Sequence, residues 1–216
     1  MSLLTHAAVL NAMTPSPWDF SNRLLYDLCA DHPAHSDTGE VLAKILLIGR
    51  VYAAAIERRK TKTDVQNDDY YISTVAPAIQ GSHIDDWLEE ARIAVPGTPA
   101  GFATLVAIHG NVTTLFSKIS EMEKRSLASK YLHFHVPRLF YIFDSRAVKA
   151  MRHFSALLPR ASRSDGAGDN EYRKFSEKCA HLISLCELEF GLIPLPRHID
   201  NLLLGMHASK ALRPLP

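Results

Sequence analysis

VLAKILLIGRVYAAAI, residues 41–56, decides the fold. It is the most apolar run in the chain, broken only by Lys44 and Arg50. It falls short of the about 20 apolar residues a membrane span needs, so it reads as a buried helix. Carried into its flanks, the pattern predicts a helix over residues 40–60, apolar nearly all round. Such a helix belongs in the middle of a helical protein. Its polar end, ERRKTKTD (57–64), puts cations where the helix dipole favours them.

Helical periodicity continues on both sides, and strand alternation is scarce. Before the central run, helices are expected over residues 3–12 and 18–29. The second would present Phe20, Leu24, Leu25 and Leu28 as its apolar face. Residues 31–39 read as a loop, and 63–80 as ambiguous, with a helical turn or two before Pro77. Ser82 caps a helix through Ala94. Thr98 as cap and Pro99 at the first helical position start a long helix carrying Leu105, Val106, His109, Val112, Thr113 and Phe116. Residues 126–134 form a further helix, ended by Val136-Pro137 because a residue before proline avoids helical dihedrals. LFYIF (139–143) is a buried tether to a helix carrying Val148, Met151 and Phe154. Residues 159–170 are the clearest loop, a flexible one. Helices over 170–190 and 196–205 follow, the last started by Pro196 and stopped by Gly205. The expected fold is all-α, roughly nine helices in an orthogonal bundle around the central one. It forms one domain over 1–216, with 1–95 and 96–216 as the alternative division into two lobes.

The chain's 216 residues suffice to bury a core without staples. A net charge of +1 removes the simplest argument for nucleic-acid binding, a strongly basic chain, though not a local basic face. Cys29, Cys179 and Cys186 are odd in number and form no C-x-x-C. They read as reduced core thiols of a cytosolic protein. The start, MSLLTHAAVLNAMTPSP, lacks the basic opening of a signal peptide.

The densest chemistry lies in SLASKYLHFHVPRLFYIFDSRAVKAM, residues 126–151. Asp144 stands just before a helix, where its carboxylate would cap the first turn. A helix, a proline turn, a buried tether and an acid at the head of the next helix resemble the helix–hairpin–helix DNA glycosylase superfamily. The likeness is to its archaeal and bacterial 8-oxoguanine branch, over residues 124–150, where Ala128-Ser129, Leu132 and Ile142-Phe143-Asp144 fall in step. The resemblance implies that Asp144 both caps a helix and stabilises charge developing at the sugar carbon as the base leaves. It implies a nucleic-acid partner. The branch's glycine-rich hairpin, which offers N–H groups to a phosphate, is matched by SEMEKRS (120–126), without glycine. Its Schiff-base lysine is matched by Ser126, which cannot form an imine. Lys130, one turn on, could reach the same face. A water-using glycosylase, rather than a lyase, is the activity the resemblance leaves. The stretch also resembles a pattern of bacterial proteins in which S-K-x-L-H-F, a proline and I-x-D-S recur. GRVYAAAIERR (49–59) and PRHIDNLLL (196–204) share that look, but the pattern carries no activity.

Other constellations compete. Arg50, inside the most apolar run, needs an acid, and Glu57 two turns on would supply it. The functional alternative is an anion contact in a cleft. Arg146 and His153 fit the loose arginine–histidine spacing of the HEPN ribonucleases. His133 and His135 point apart on a helix and cannot share a metal. His32 and His35, beside Asp31 and Asp37, are metal-ligand types in a loop, where capping and loop hydrogen bonds account for them better. Arg58, Arg59, Lys60, Lys62, Lys124, Arg125 and Lys130 would make a basic patch if the fold gathered them, with Tyr70-Tyr71 beside it. The candidate catalytic residues are therefore Asp144 and Lys130, and the candidate binding residues Lys124, Arg146, Arg50 and His133. No metal, cofactor or membrane is expected, and the oligomeric state is open. A non-enzymatic helical interaction module is the alternative to an enzyme.

Overall fold

A computed structural model describes residues 4–58, 67–158 and 169–211, with the side chains of 67, 68 and 206–211 left aside. The described residues contain helices and no strand, as the periodicity predicts. In order they are α1 His6–Met13, α2 Asp19–Asp31, α3 Thr38–Val51, α4 Asn67–Tyr70, α5 Ala76–Gln80, α6 Ile84–Ile93, α7 Pro99–Ser120, α8 Arg125–His135, α9 Ser145–Met151, α10 Asn170–Phe190 and α11 Pro196–Ala211. Between α4 and α5, Tyr71–Val75 forms a π-helical stretch just ahead of Pro77, which has no N–H to continue the ordinary ladder. No described helix is long and apolar enough to cross a membrane.

The predicted central helix is shorter than expected. It ends at Val51 because the chain turns back there: Ala53 adopts a left-handed φ of 52° and the Ala54 N–H reaches the Gly49 carbonyl at 2.7 Å. Gly49 permits the reversal, since a Cβ there would stand 3.2 Å from the Ala55 Cα. The helix is also not apolar-covered all round, for Leu47 and Val51 are 43% and 60% exposed.

The helix the others surround is α8. Every residue from Leu127 to Val136 is buried, although this run includes Ser129, Lys130, His133 and His135. Its centrality was hidden because its polar groups are matched by internal partners rather than by water. α2 is rotated from its predicted face: Leu25 and Cys29 are buried, while Phe20 and Leu24 are 63% and 57% exposed. The last helix runs past Gly205 to Ala211, where an extra Cβ at Gly205 would meet nothing.

Side chains pack in two clusters that do not follow the predicted lobes. One joins α2 to α8, and the other joins α1 to α9, α10 and α11. The tether 139–143 runs between them, with Tyr141 and Phe143 touching both. The predicted loop at 159–170 lies outside the described residues except for Asp169 and Asn170. All three cysteines are free and buried.

Candidate functional site

The tether runs between the two clusters to Asp144, so its backbone needs partners away from water. Side chains of its neighbours supply them. The Ser129 hydroxyl accepts from the Phe143 N–H at 3.0 Å and lies 3.1 Å from the Phe143 carbonyl. The Tyr172 hydroxyl treats Tyr141 alike, accepting from its N–H at 3.1 Å and donating to its carbonyl at 2.9 Å. His133 donates from Nδ1 to the Phe140 carbonyl at 2.8 Å. The chain is thus clamped at three points just before Asp144.

Asp144 divides its carboxylate. Oδ1 accepts from the N–H groups of Arg146 and Ala147, both at 2.9 Å, and caps α9. Oδ2 lies 3.4 Å from Lys130 Nζ. Burial alone would raise this carboxyl; the Ala147 N–H and the Lys130 ammonium outweigh it and hold it below the ordinary carboxylate value. Lys130 Nζ donates further to the Tyr52 carbonyl and to Ser126 Oγ, each at 3.1 Å. Three acceptors match the three N–H bonds of an ammonium. Burial lowers the lysine, and Asp144 offsets part of that.

A second buried pair lies beside the first. Arg197 donates to Asp200 Oδ2 at 3.0 Å, to the Tyr26 hydroxyl at 3.0 Å and to the Tyr52 hydroxyl at 3.2 Å. The Tyr26 hydroxyl also meets His133 Nε2 at 2.7 Å, and Tyr52 donates to Asn22 Oδ1 at 2.5 Å. Asp200 is buried, which pushes its carboxyl up to about 6, with Arg197 opposing and Asp144 adding to the rise. Two acids and two cations therefore balance inside the protein, Asp144 and Asp200 against Lys130 and Arg197. Sequence reasoning noticed PRHIDNLLL without assigning Arg197 or Asp200, whose partners on α2 and after α3 stand far away in sequence.

The other predicted site residues scatter. Lys124 is buried, and its ammonium binds the carbonyls of Ala55, at 3.1 Å, and Arg58. It fastens the turn after α3 and is not available to a phosphate. His133 is a neutral link in the core, held down to about 3 by burial and then by Arg197. Arg146 is exposed on α9. Arg50 is not an internal anchor: its side chain is 45% exposed and pairs with Glu57 at 3.1 Å, a contact made by the chain reversal rather than along one helix. Among the described residues the basic patch does not gather, because Lys124 and Lys130 are buried and Arg125 is bound by Asp169 and Glu123. Arg59, Lys60 and Lys62 lie outside the described residues. Tyr70 and Tyr71 are core anchors, bonded to the Ile119 carbonyl and to Glu57.

In the hairpin between α7 and α8, Glu121 takes the left-handed conformation, φ 56°, that a glycine would favour. Glu121, Met122 and Glu123 are exposed there, so the turn presents acids to solvent. His35 leaves its loop and is buried, with Nδ1 on Asp85 at 2.5 Å and Nε2 on the Tyr131 hydroxyl at 2.7 Å. Among the described residues no three histidines, cysteines or acids converge as metal ligands. The divided carboxylate recurs at Asp169, which caps α10 with Oδ1 and meets Arg125 Nε with Oδ2 at 2.5 Å. What sets Asp144 apart is the lysine, Ser126 and the second charged pair around it. Compared with family models, curated proteins and solved structures, the chain shows no match.

Proposed function

We propose that this chain acts on nucleic acid as a glycosylase-like protein, with Asp144 as its working carboxylate and without lyase chemistry. The observation that carries the reading is the divided carboxylate of Asp144, one oxygen on α9 and the other on Lys130 3.4 Å away. A carboxylate fixed at a helix head stays ionised, and an ionised carboxylate stabilises positive charge that develops on a sugar as a base departs. Lys130, one turn after the Ser126 that stands at the Schiff-base position, does reach Asp144, but its three N–H bonds all have acceptors. Three acceptors, one of them a carboxylate, hold the group as an ammonium, and an ammonium has no lone pair to attack a sugar carbon, so water is the nucleophile.

Base release from a panel of damaged duplexes tests this. The wild type is expected to release a base without strand cleavage, and Asp144→Asn to lose the activity by about a hundredfold or more. No release from any duplex, together with no shift of DNA at low salt, overturns the reading.

A second reading, a non-enzymatic interaction module, is favoured by the outward side of α2 and the residue before it. Trp18 is 77% exposed and Phe20 63%. Exposed large aromatics in this number suit a partner surface. Under this reading Trp18→Ala weakens association while Asp144→Asn leaves it unchanged.

A further inference from the structure

Cations stand in a row on the outer side of α9. Arg146, Lys149 and Arg152 follow at steps of three and are exposed, while Ala147, Ala150 and Met151 are buried. Residues three apart are neighbours on a helix surface. α10 adds Lys174 and Lys178, one turn apart. They share with Arg152 the rim of a cleft of about 150 Å³, whose floor includes Phe143, Met151 and Phe175.

The acids nearby do not cancel this charge. Glu171, also at the cleft, pairs with Lys174 at 3.2 Å. Glu177 is taken by Arg173, and Asp144 by Lys130 and the head of its helix. Arg146, Lys149, Arg152 and Lys178 make no ion pair among the described residues. The whole chain carries a net charge of +1, so this face concentrates positive charge that the rest of the chain offsets.

The row also has a direction. It starts at Arg146, whose N–H is bound by Asp144 Oδ1, and runs along α9 to the cleft. Over residues 144–152 a helix rises about 12 Å. That is three to four steps of one strand of a duplex, at about 3.4 Å each. α9 exposes Ser145, Arg146 and Lys149 and no large apolar side chain, which a helix lying on a membrane would need.

We infer that the ridge formed by α9 and α10 seats the phosphate backbone of a nucleic acid. Arg152, Lys174 and Lys178 surround one phosphate, and Lys149 and Arg146 lead the strand to Asp144. This surface rests on the nucleic-acid partner proposed above and gives that partner a face.

Fluorescence anisotropy of the full chain with a labelled duplex of about 20 base pairs, over about 50 to 200 mM salt, tests it. Contacts from the unpaired cations predict a slope of about −3.6 in log K against log salt, a loss of about a hundredfold over that range. Lys149→Gln with Arg152→Gln should flatten the slope by about 1.8, and Lys178→Gln by about 0.9 more. Arg23→Gln removes an exposed cation from α2 instead and should leave the slope unchanged. Because the slope counts released ions, a variant that only lost part of its folded population would bind less without changing it. A slope that falls as stated, without base release from any duplex, keeps this surface and ends the glycosylase-like reading. Base release with an unchanged slope does the reverse. The inference is also overturned if the duplex does not bind, if Arg23→Gln flattens the slope as much, or if the substitutions release the chain from phosphatidylserine vesicles and not from the duplex.

Discussion

Asp144 stands with one oxygen on two N–H groups of α9 and the other 3.4 Å from the Lys130 ammonium, so a single side chain joins α8 to the head of α9. The two functions of the carboxylate are separable by substitution. Asparagine is as good an N-cap as aspartate, but it cannot neutralise a buried lysine. Asp144→Asn should therefore cost about 3 kcal/mol, from the orphaned ammonium. Asp144→Ala should cost about 1 kcal/mol more, from the lost cap. Urea unfolding of both variants measures the difference, and equal midpoints would show that the cap contributes nothing.

Arg197 reaches across the sequence to tie α11 to Tyr26 on α2 and to Tyr52 after α3. Its planar fork meets three oxygens at once, which an ammonium cannot reproduce. Arg197→Lys should destabilise by about 3 kcal/mol, leaving Asp200 poorly matched. Replacing the pair together, Arg197→Met with Asp200→Leu, should cost less than the single Arg197→Met change, because no buried charge is left alone. Additive losses in a double-mutant cycle would contradict this account of the pair.

Buried histidines should make the protein acid-labile. His35, His109, His133 and His135 are all held below the ordinary value, with burial the largest cause, His109 and His133 to about 3. The unfolded chain takes up these protons near the ordinary value of 6.5, and the folded chain does not. Their stabilisation is thus present above that pH and lost as pH falls below it, by about 1.4 kcal/mol per pH unit for each residue that stays neutral, as His109, His133 and His135 do. Asp200 has the opposite sign. Its raised carboxyl, about 6 against 3.8, contributes stability that is full below pH 3.8 and lost as pH rises through 6. Three strongly depressed histidines outweigh one acid, so unfolding midpoints should drop steeply between about pH 6.5 and 5. The Asp200 contribution is isolated by subtracting Asp200→Asn from wild type across the same range. A flat profile below pH 6.5 would refute the neutral core.

Local rules carried much of the fold. Thr98 with Pro99, and Asp144 before Ser145, marked helix starts correctly because capping involves neighbours in sequence: Gly101 N–H on Thr98 Oγ1 at 3.1 Å, and Ala147 N–H on Asp144 at 2.9 Å. The tether LFYIF read as buried, and Phe140 and Ile142 are. What could not be read was polar burial. Hydropathy made α3 the centre, whereas α8 is, since Lys130, His133 and Ser129 find partners at Tyr52, Tyr26 and Phe143. For the same reason α2 turns Asn22 and Tyr26 inward and leaves Phe20 and Leu24 out. The Arg197–Asp200 pair was equally hidden, because Tyr26 lies 171 residues from Arg197.

Two glycines give a final contrast. Gly101 sits in the first turn of α7, where an added Cβ would fall 2.1 Å from the Val95 carbonyl oxygen. That atom is backbone of the incoming turn, tied further by the Thr98 hydroxyl at 2.8 Å, and cannot step aside cheaply. Gly101→Ala should cost about 2 kcal/mol or more by overpacking. Gly205 lies within α11 with open space around it, so Gly205→Ala should stabilise by up to about 1 kcal/mol through helix propensity. Thermal unfolding of the two variants should therefore move in opposite directions. A loss on Gly205→Ala would mean that α11 does not continue as a helix past Gly205.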